Sequence, residues 1–399
     1  MIAGMNETAG DLLEMVRTGR ASTRSDLRRL TGMSRTAVVS RVTALADAGL
    51  LLLGEELAST GGRPPGSLVF NVDAGIVLSV AIGRSRSQLA AFDLAGEELA
   101  TSSVEHEVGA GPDEVLPPVT ALVAAMTPAD RPILGVGISL PGAIDPVRAV
   151  SLASPVMAGW DGVDLAPYFA SVTHAPLHVG NDADVLALSE RLGHATTYDD
   201  LLVLKASTGL GLGIVAGRHV VSGHLGGAGD IGHVKVAAPV GRACRCGSEG
   251  CLETVAGGWA LVAQLAESGR KVHHVRELTS LALAGDAEAR AMLRESGRLV
   301  GESMAMAITL LNPQAVVVGG DMSAAFDVYA AGLRESIYAS STVLATRDLQ
   351  VLPSTYGDRA GLVGCAVLAL DRVLAPESID ARLMGLRPRA RPSVVNVGS

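Results

Sequence analysis

The sequence predicts an α/β protein in which two similar lobes follow a small, mainly helical N-terminal domain. From about Phe70 onward, strands and helices rich in Gly, Ala and Val alternate, which is typical of mixed sheets covered by helices. The same order of strands, glycine-rich turn and helices occurs twice, first near Ile82 to Gly83 and again near Thr208 to Gly213. Residues 1–70 differ in composition, since they contain arginine but no lysine.

The N-terminal part has the pattern of a winged helix-turn-helix. Apolar spacing predicts a helix over 6–18, a capping box at 23–26 starts a second helix that runs to Leu30, and Gly32 makes the turn. Ser34 caps a third helix that closes at Gly49. Strands over 50–57 and 66–72 flank the tip STGGRPPG, so residues 1–70 form the first predicted domain.

Charge indicates where this domain meets a polyanion. Residues 1–70 hold eight Arg against seven acidic residues, whereas the remaining chain is strongly acidic, and 20–45 contains six Arg against Asp26 alone. An arginine-bearing helix face is often only a solvated surface, but turn, wing and basic stripe together favour double-stranded DNA. The candidate DNA contacts are Ser34, Arg35, Thr36, Ser40 and Arg41 on the third helix, and Arg63 at the wing tip, in a minor groove or on a phosphate.

Three of the four cysteines fall within eight positions, as Cys244-x-Cys246-x4-Cys251, with His233 eleven positions upstream. Three thiolates and one imidazole are the ligand set of a closed tetrahedral zinc site, although unconnected thiols on a polar loop remain the alternative. Cys365 lies in an apolar run and is interpreted as a core residue. We find no apolar run of 18 residues and no signal-peptide pattern, so we expect a cytoplasmic protein without a membrane span.

The two lobes are assigned to residues 71–190, completed by a C-terminal helix at about 360–375, and to residues 191–359. A cleft between them is the expected ligand site. Residues 376–399 are arginine-rich and contain prolines, and we expect a disordered basic tail there, with an additional contact to DNA as the alternative.

Six motifs together resemble the ROK family of repressors, open reading frames and kinases, from the helix-turn-helix to about Val373. They are SLPGAID (139–145), NDAD (181–184), STGLGLG (207–213), GGAGDIGH (226–233), CRCGSEGCLE (244–253) and VVVGGDMS (316–323). The resemblance implies a two-lobed actin-like ATPase fold. It also implies either a sugar kinase or, with the added winged helix-turn-helix, a sugar-responsive transcription factor.

By this resemblance, His233, Cys244, Cys246 and Cys251 hold one structural Zn²⁺ beside the sugar site. The resemblance also assigns the sugar contacts, which are Asn181, Asp182, Asp230, His233 and Glu253. The family usually has Glu where this chain has Asp230, so the shorter reach leaves the identity of the sugar open.

The first phosphate loop departs from the kinase pattern. Where kinases resemble DIGGTK, this chain has AIGRSR, so Ala81 replaces a metal-binding carboxylate and Arg84 occupies a glycine position. Asp182 matches the catalytic base, but we expect it to serve binding alone and expect no kinase activity.

The resulting hypothesis is a transcriptional repressor whose affinity for operator DNA changes when a sugar or sugar phosphate binds between the lobes. Homodimers or homotetramers on inverted repeats are expected, as in the family. Two alternatives remain, a bifunctional ATP-dependent sugar kinase and a constitutive DNA-binding protein with a vestigial pair of lobes.

Overall fold

A computed structural model describes residues 7–56, 66–128, 130–145, 148, 150–152, 157, 159–237 and 242–386. The N-terminal head, residues 7–56 and 66–70, contains three helices and a two-stranded antiparallel sheet. Its elements are α1 (Ala9–Arg17), α2 (Arg24–Thr31), α3 (Arg35–Asp47), β1 (Leu51–Glu56) and β2 (Gly66–Phe70).

Local sequence signals set the ends of the head's helices. The predicted capping box of α2 is present, with Asp26 N–H donating to the Thr23 hydroxyl while Thr23 N–H donates to the Asp26 carboxylate. Gly32 ends α2 in the left-handed region, at φ 70°, which turns the chain toward α3. Val38 and Leu45 are fully buried on the inner face of α3, so its opposite face is left to solvent.

The first lobe is built on a five-stranded sheet of order β5-β4-β3-β6-β9. Its first three strands are antiparallel, whereas β3, β6 and β9 are parallel. The elements are β3 (Ile76–Ile82), β4 (Arg86–Asp93), β5 (Glu98–Glu105), α4 (Pro112–Met126), β6 (Ile133–Leu140), β7 (Ile144–Asp145), β8 (Val150–Ser151), α5 (Ala166–Phe169), β9 (Leu177–Asn181) and α6 (Asp182–Ser189).

The second lobe repeats this plan, with sheet order β12-β11-β10-β13-β14 and the same strand directions. The predicted duplication is therefore present. The elements of the second lobe are β10 (Leu201–Ala206), β11 (Leu210–Ala216), β12 (His219–Val220), α7 (Glu253–Ala256), α8 (Gly258–Glu267), α9 (Val275–Leu283), α10 (Ala287–Leu311), β13 (Ala315–Gly319), α11 (Phe326–Ser340), α12 (Val343–Thr346) and β14 (Gln350–Pro353). Two further helices follow in the chain, α13 (Ala360–Val373) and α14 (Pro376–Leu383).

The lobes exchange helices at their junction. Helix α6 follows the first sheet but packs on β10 and β11 of the second, whereas α13 follows the second sheet but packs on β3 and β6 of the first. The two helices also pack on each other. Close approach depends on small residues, since a Cβ at Gly137 would lie 1.9 Å from the Cys365 carbonyl oxygen and one at Gly364 would lie 1.9 Å from that of Val185. Helix α13 is therefore packed tightly against both the first sheet and α6.

The prediction of a disordered tail from residue 376 is wrong for residues 376–386. Helix α14 begins at Pro376 and packs on α1 of the head, where Ile379 is 1% exposed. Asp380 accepts a hydrogen bond from Gly10 N–H at 2.9 Å. The arginine-rich composition hid this helix, because its contacts with the head join segments that are far apart in the sequence. Residues 387–399 lie outside the described part of the chain.

None of the helices in the described ranges is both long enough and apolar enough to cross a membrane.

Candidate functional site

A cleft of about 760 Å³ lies between the two lobes. The ends of parallel strands and the loops that follow them line it from both sides, which is where α/β sheets commonly bind ligands. All five residues predicted as sugar contacts line this cleft: Asn181, Asp182, Asp230, His233 and Glu253.

Asn181 forms the junction between β9 and α6. Its Oδ1 caps α6 by accepting from Ala183 N–H at 2.8 Å and Asp184 N–H at 3.2 Å, and its Nδ2 donates to the Gly142 carbonyl at 2.6 Å. One amide N–H is left over for a ligand. Asn181 therefore fixes the cleft wall and offers a single further donor.

Asp182 forms an ion pair across the lobe junction. Its Oδ2 lies 2.8 Å from the Lys205 Nζ at the carboxyl end of β10, and both side chains are less than one quarter exposed. Burial disfavours the charged ammonium, but Asp182, Asp321 and Glu253 outweigh that effect and raise the pKa of Lys205. Lys205 therefore stays protonated, and the carboxylate of Asp182 is held in place.

Asp184, two residues along the same helix, does not line the cleft. Its carboxylate accepts a hydrogen bond from Ser222 Oγ at 2.6 Å. Burial raises the pKa of Asp184 to about 6, with a further contribution from the nearby Asp182, while the Ser222 hydrogen bond opposes the rise. The two carboxylates of the NDAD motif thus have different environments, one in the cleft and one in the packed interior.

Glu253 begins α7 and is 4% exposed. Its Oε2 accepts from Leu210 N–H at 3.1 Å, and its Oε1 accepts from the indole N–H of Trp259 at 2.9 Å. Arg245 lies over the Trp259 ring, 4.5 Å from its centroid. The carboxylate is therefore oriented before any ligand arrives, and it is connected through Trp259 to the cysteine loop.

The predicted His and Cys residues form a compact cluster. The ligand atoms of His233, Cys244, Cys246 and Cys251 all lie within 4.8 Å of one another and could hold a metal ion. His233 ends a short 3₁₀ helix, and the cysteine loop folds back on it through the backbone hydrogen bonds Val236 N–H to Gly250 O and Leu252 N–H to Val234 O. The local chain path thus brings the four residues together.

The spacing of these atoms fits a tetrahedral ion. Zn–S bonds of about 2.3 Å place two sulfurs about 3.8 Å apart, and Cys246 Sγ lies 3.7 Å from Cys251 Sγ. Cys244 Sγ lies 3.5 Å from His233 Nδ1. Burial raises the pKa of the Cys244 thiol, so a bound cation would be needed to keep it as a thiolate.

His233 belongs to both the cluster and the cleft. Its Nδ1 faces Cys244, while its Nε2 lies 3.9 Å from Asp230 Oδ1, and both residues line the cleft. The Asp230 side chain is 60% exposed. It therefore faces open space rather than protein partners, and its short side chain is available to a ligand.

The loop that departs from the kinase pattern joins β3 to β4. Gly83 N–H donates to the Arg86 carbonyl at 2.9 Å, which closes a tight turn with Arg84 at its tip. Ala81, Arg84 and Arg86 all line the cleft. Ala81 has no side-chain atom that could bind a metal ion. The guanidinium of Arg84 places a positive charge at the turn.

Several polar residues of the cleft were not predicted as ligand contacts, among them Lys205, Ser207 and Asp321. Ser207 Oγ donates to the Asp321 carboxylate, which joins the loops after β10 and β13. Lys205 had a usable signal, because it is one of three lysines in the chain and the only charged residue of the apolar run LLVLKA. Asp321 lies in the motif VVVGGDMS, but no role was assigned to it.

On the head, the outer face of α3 presents the predicted DNA contacts. Arg35, Thr36 and Ser40 are exposed, and Arg41 is half-buried. Ser34 is exposed too, but its hydroxyl accepts from Ala37 N–H at 3.2 Å and so caps the helix. Arg63 lies outside the described residues.

Comparisons with known proteins agree with this architecture. The model of the ROK family matches residues 77–372. The xylose repressor of Bacillus subtilis (strain 168) is 24% identical over 368 residues, covering 91% of this chain and 94% of that protein.

Two similar solved structures cover different shares of this chain. The crystal structure of a ROK family transcriptional regulator, a homolog of the E. coli MLC protein, matches with a TM-score of 0.75 at 25% identity, covering 94% of this chain and 98% of its own. A ROK family glucokinase from Streptomyces griseus, solved with glucose and AMPPNP, matches with a TM-score of 0.64 at 29% identity, covering 74% of this chain and 99% of its own. The predicted two-lobed fold class is confirmed, and the regulator match extends over the head as well.

Proposed function

Since the chain belongs to the ROK family, we propose that it is a sugar-responsive transcriptional repressor. The observation that carries this proposal is the path of α13 and α14. Gly361 near the start of α13 lines the cleft, and α14 packs on α1 of the head. A ligand that changes the angle between the lobes therefore acts on the element that holds the head.

The cleft has the chemistry of a site for a polyhydroxylated ligand. Each sugar hydroxyl both donates and accepts, and Asn181, Asp182, Asp230, His233 and Glu253 supply carboxylates, an amide and an imidazole around one space. Asp182 and Glu253 are already oriented by Lys205 and Trp259. Such preorganisation lowers the ordering cost of binding.

The head would bind operator DNA through α3 in the major groove. Arg35, Thr36, Ser40 and Arg41 would contact bases or phosphates, with Arg63 of the wing reaching an adjacent groove or phosphate and Ser34 acting through its cap. One small module gains little over non-specific binding, so we infer a homodimer or homotetramer on an inverted repeat.

We also infer that the His and Cys cluster holds one structural Zn²⁺. Three thiolates and one imidazole fill a tetrahedral ion, leaving no position for water or substrate, so the ion stabilises the loop and supplies no chemistry to the sugar. His233 then fixes the cleft wall from the metal side. Arg245 and Trp259 extend that support to Glu253.

Kinase activity is the second candidate, favoured by the glucokinase match, and two observations weigh against it. Ala81 supplies no carboxylate for a metal-bound nucleotide. Asp182 is already paired with the protonated Lys205, at 2.8 Å. We expect no ADP release from Mg²⁺-ATP with any sugar that binds, and turnover on the usual kinase scale of roughly 1 to 100 per second would revive the candidate.

The experiment that tests the repressor function starts from DNA selected from random duplexes by the full-length protein. Operator affinity is then measured by fluorescence anisotropy with and without xylose, glucose, N-acetylglucosamine and the phosphate of each. We expect one sugar to change the affinity by about 5- to 150-fold. Selection of no preferred sequence, or a selected operator indifferent to every sugar and sugar phosphate, would remove the proposal.

A further inference from the structure

Lys235 lies beside the His and Cys cluster, two residues after His233. Val234 between them is extended, with φ −62° and ψ 137°, so the side chains of His233 and Lys235 leave the same face of the chain. Lys235 also forms an antiparallel bridge with Cys251. Residues directly opposite each other in such a bridge have their side chains on one face. The chain path therefore directs Lys235 toward two of the four proposed metal ligands.

The ammonium group of Lys235 is hydrogen-bonded to the cysteine loop. Its Nζ donates to the Ser248 hydroxyl, to the Glu249 carbonyl at 2.6 Å and to the Cys251 Sγ at 3.2 Å. An ammonium has three N–H donors, so these three acceptors use all of them. The partner from Glu249 is the backbone carbonyl rather than the carboxylate. The positive charge of Lys235 therefore lies directly against the sulfur of Cys251.

Cys251 is the most deeply buried of the three cysteines in the cluster. It is 0% exposed, whereas Cys244 is 5% exposed and Cys246 is half-buried and lines the cleft. Three thiolates exceed the charge of a Zn²⁺ ion by one unit, so the cluster with its ion is an anion. A buried negative charge is costly unless a cation or a hydrogen-bond donor is close to it. Lys235 is both at Cys251.

Within the described part of the chain, Lys235 is the only lysine or arginine that donates to a sulfur of the cluster. Arg245 lies between two of the cysteines in the sequence, but its guanidinium lies over the Trp259 ring. Compensation of charge at the sulfur therefore depends on Lys235.

We propose that Lys235 is the charge partner of the metal cluster and that its ammonium increases the zinc affinity by compensating the excess negative charge at the Cys251 sulfur. This inference rests on the proposed function, because it concerns the ion of the same cluster. Loss of a group that hydrogen-bonds a metal ligand typically lowers metal affinity about 10- to 100-fold. Lys235 is exposed overall, so water screens its charge and the lower end of that range is expected.

The test is a competition for zinc between the full-length protein and a chromophoric chelator, at fixed pH and salt. Lys235→Met keeps the length of the side chain but removes its charge and its donors, so zinc affinity should fall about 10-fold. Lys235→Arg keeps the charge and should stay within about threefold of the parent. Lys235→Gln is neutral but polar, and it should show the same loss as Lys235→Met if that variant does not fold.

Two controls separate the charge from the structure of the loop. Ser248→Ala removes a neutral acceptor of the same ammonium and leaves the charge in place, so its zinc affinity should stay within about twofold of the parent. Lys271→Met removes an equal charge from an exposed lysine that is not part of the cluster, and it should have no effect on zinc affinity.

Cobalt substitution reports on the sulfur itself. Loss of the N–H to sulfur hydrogen bond leaves more negative charge on the Cys251 thiolate. The sulfur-to-cobalt charge-transfer band should therefore move to longer wavelength in Lys235→Met, and it should not move in Ser248→Ala. A role of Lys235 in holding the loop alone would move the band in neither variant.

The outcomes separate this inference from the zinc assignment. If Lys235→Met binds zinc as tightly as a zinc-containing parent, the role of Lys235 is refuted and the zinc assignment stands. Equal losses of affinity in Lys235→Met, Lys235→Arg and Ser248→Ala, without a shift of the cobalt band, would mean that Lys235 only holds the loop, and would also refute it. A parent that binds no zinc would remove both.

Discussion

The N-terminal head and the cleft present their polar residues in contrasting ways. On α3, Arg35, Thr36 and Ser40 lie exposed on a helix face supported from behind by buried Val38 and Leu45. In the cleft, Asp182 is paired with Lys205, and Glu253 is 4% exposed with both oxygens already hydrogen-bonded. An exposed cationic helix face suits a polyanion, and such binding depends on the salt concentration. A group of preorganised, largely buried polar side chains suits a small polar ligand.

The comparison also shows what joins the two regions. Both depend on the C-terminal segment, since α13 begins at the cleft and α14 ends against α1. The head and the cleft should therefore bind their ligands independently, whereas the effect of the cleft's ligand on DNA affinity should depend on both regions. A substitution in one region, or at the contact between α14 and α1, should therefore have a defined effect on the other region.

The largest effect is expected from the metal cluster. Cys246→Ser should lose about one zinc per chain and several kcal/mol of stability, because binding a structural ion contributes directly to folding. For a lobe of this size the melting temperature should fall by at least about 10 °C. Metal analysis and calorimetry measure both, and Ser248→Ala, in the same loop but with no metal ligand, should keep the ion. Zinc retained in full by Cys246→Ser, or absent from the parent, would contradict the assignment.

The next largest effect is expected at the contact between α14 and α1. Ile379→Ala should cost about 2 to 4 kcal/mol at the contact between α14 and α1, since Ile379 is 1% exposed. The head should then melt separately from the lobes, and the effect of sugar on operator affinity should shrink. Ile379→Val keeps most of the contact and should retain that effect. An unchanged sugar response in Ile379→Ala would show that the signal takes another route.

Asp184, which is buried outside the cleft, should make the stability of the protein depend on pH. Its folded pKa of about 6 lies above the ordinary value of 3.8, so the folded chain holds the extra proton between those values and loses stability as pH rises through that interval. Asp184→Asn should therefore be more stable than the parent by up to about 3 kcal/mol at pH 8, with the difference disappearing near pH 4. Denaturant titrations across this range measure it, and a gap that does not change with pH would refute the assignment.

The smallest effect is expected in the head. Arg41→Ala should lower operator affinity about 10-fold and reduce the slope of affinity against salt by about one ion, because a phosphate contact acts through counterion release. Sugar binding, measured by calorimetry, should not change. Arg294→Ala is the matched control, and equal losses in both variants would mean that the effect is one of net charge alone.

The sequence predicted what local patterns encode. The capping box of α2, the turn at Gly32 and the His and Cys cluster each lie within a short stretch, so spacing alone placed them. The lobes followed from alternating apolar runs, and the family resemblance supplied five cleft residues. The Lys205–Asp182 pair and the α14–α1 contact were missed, because each joins residues of different elements that only the folded chain brings together.

The central claim, that the cleft controls the head, is tested most directly by Asp182→Asn. The amide can still accept from Lys205, and neither residue is part of the head. Operator affinity is titrated by anisotropy at fixed salt, with and without the sugar or sugar phosphate that acts on the parent. The account predicts that the variant binds operator as tightly as the parent but no longer responds to that ligand, because only the differential contact is lost. A variant that still responds fully would contradict the assignment of the cleft as the sensor.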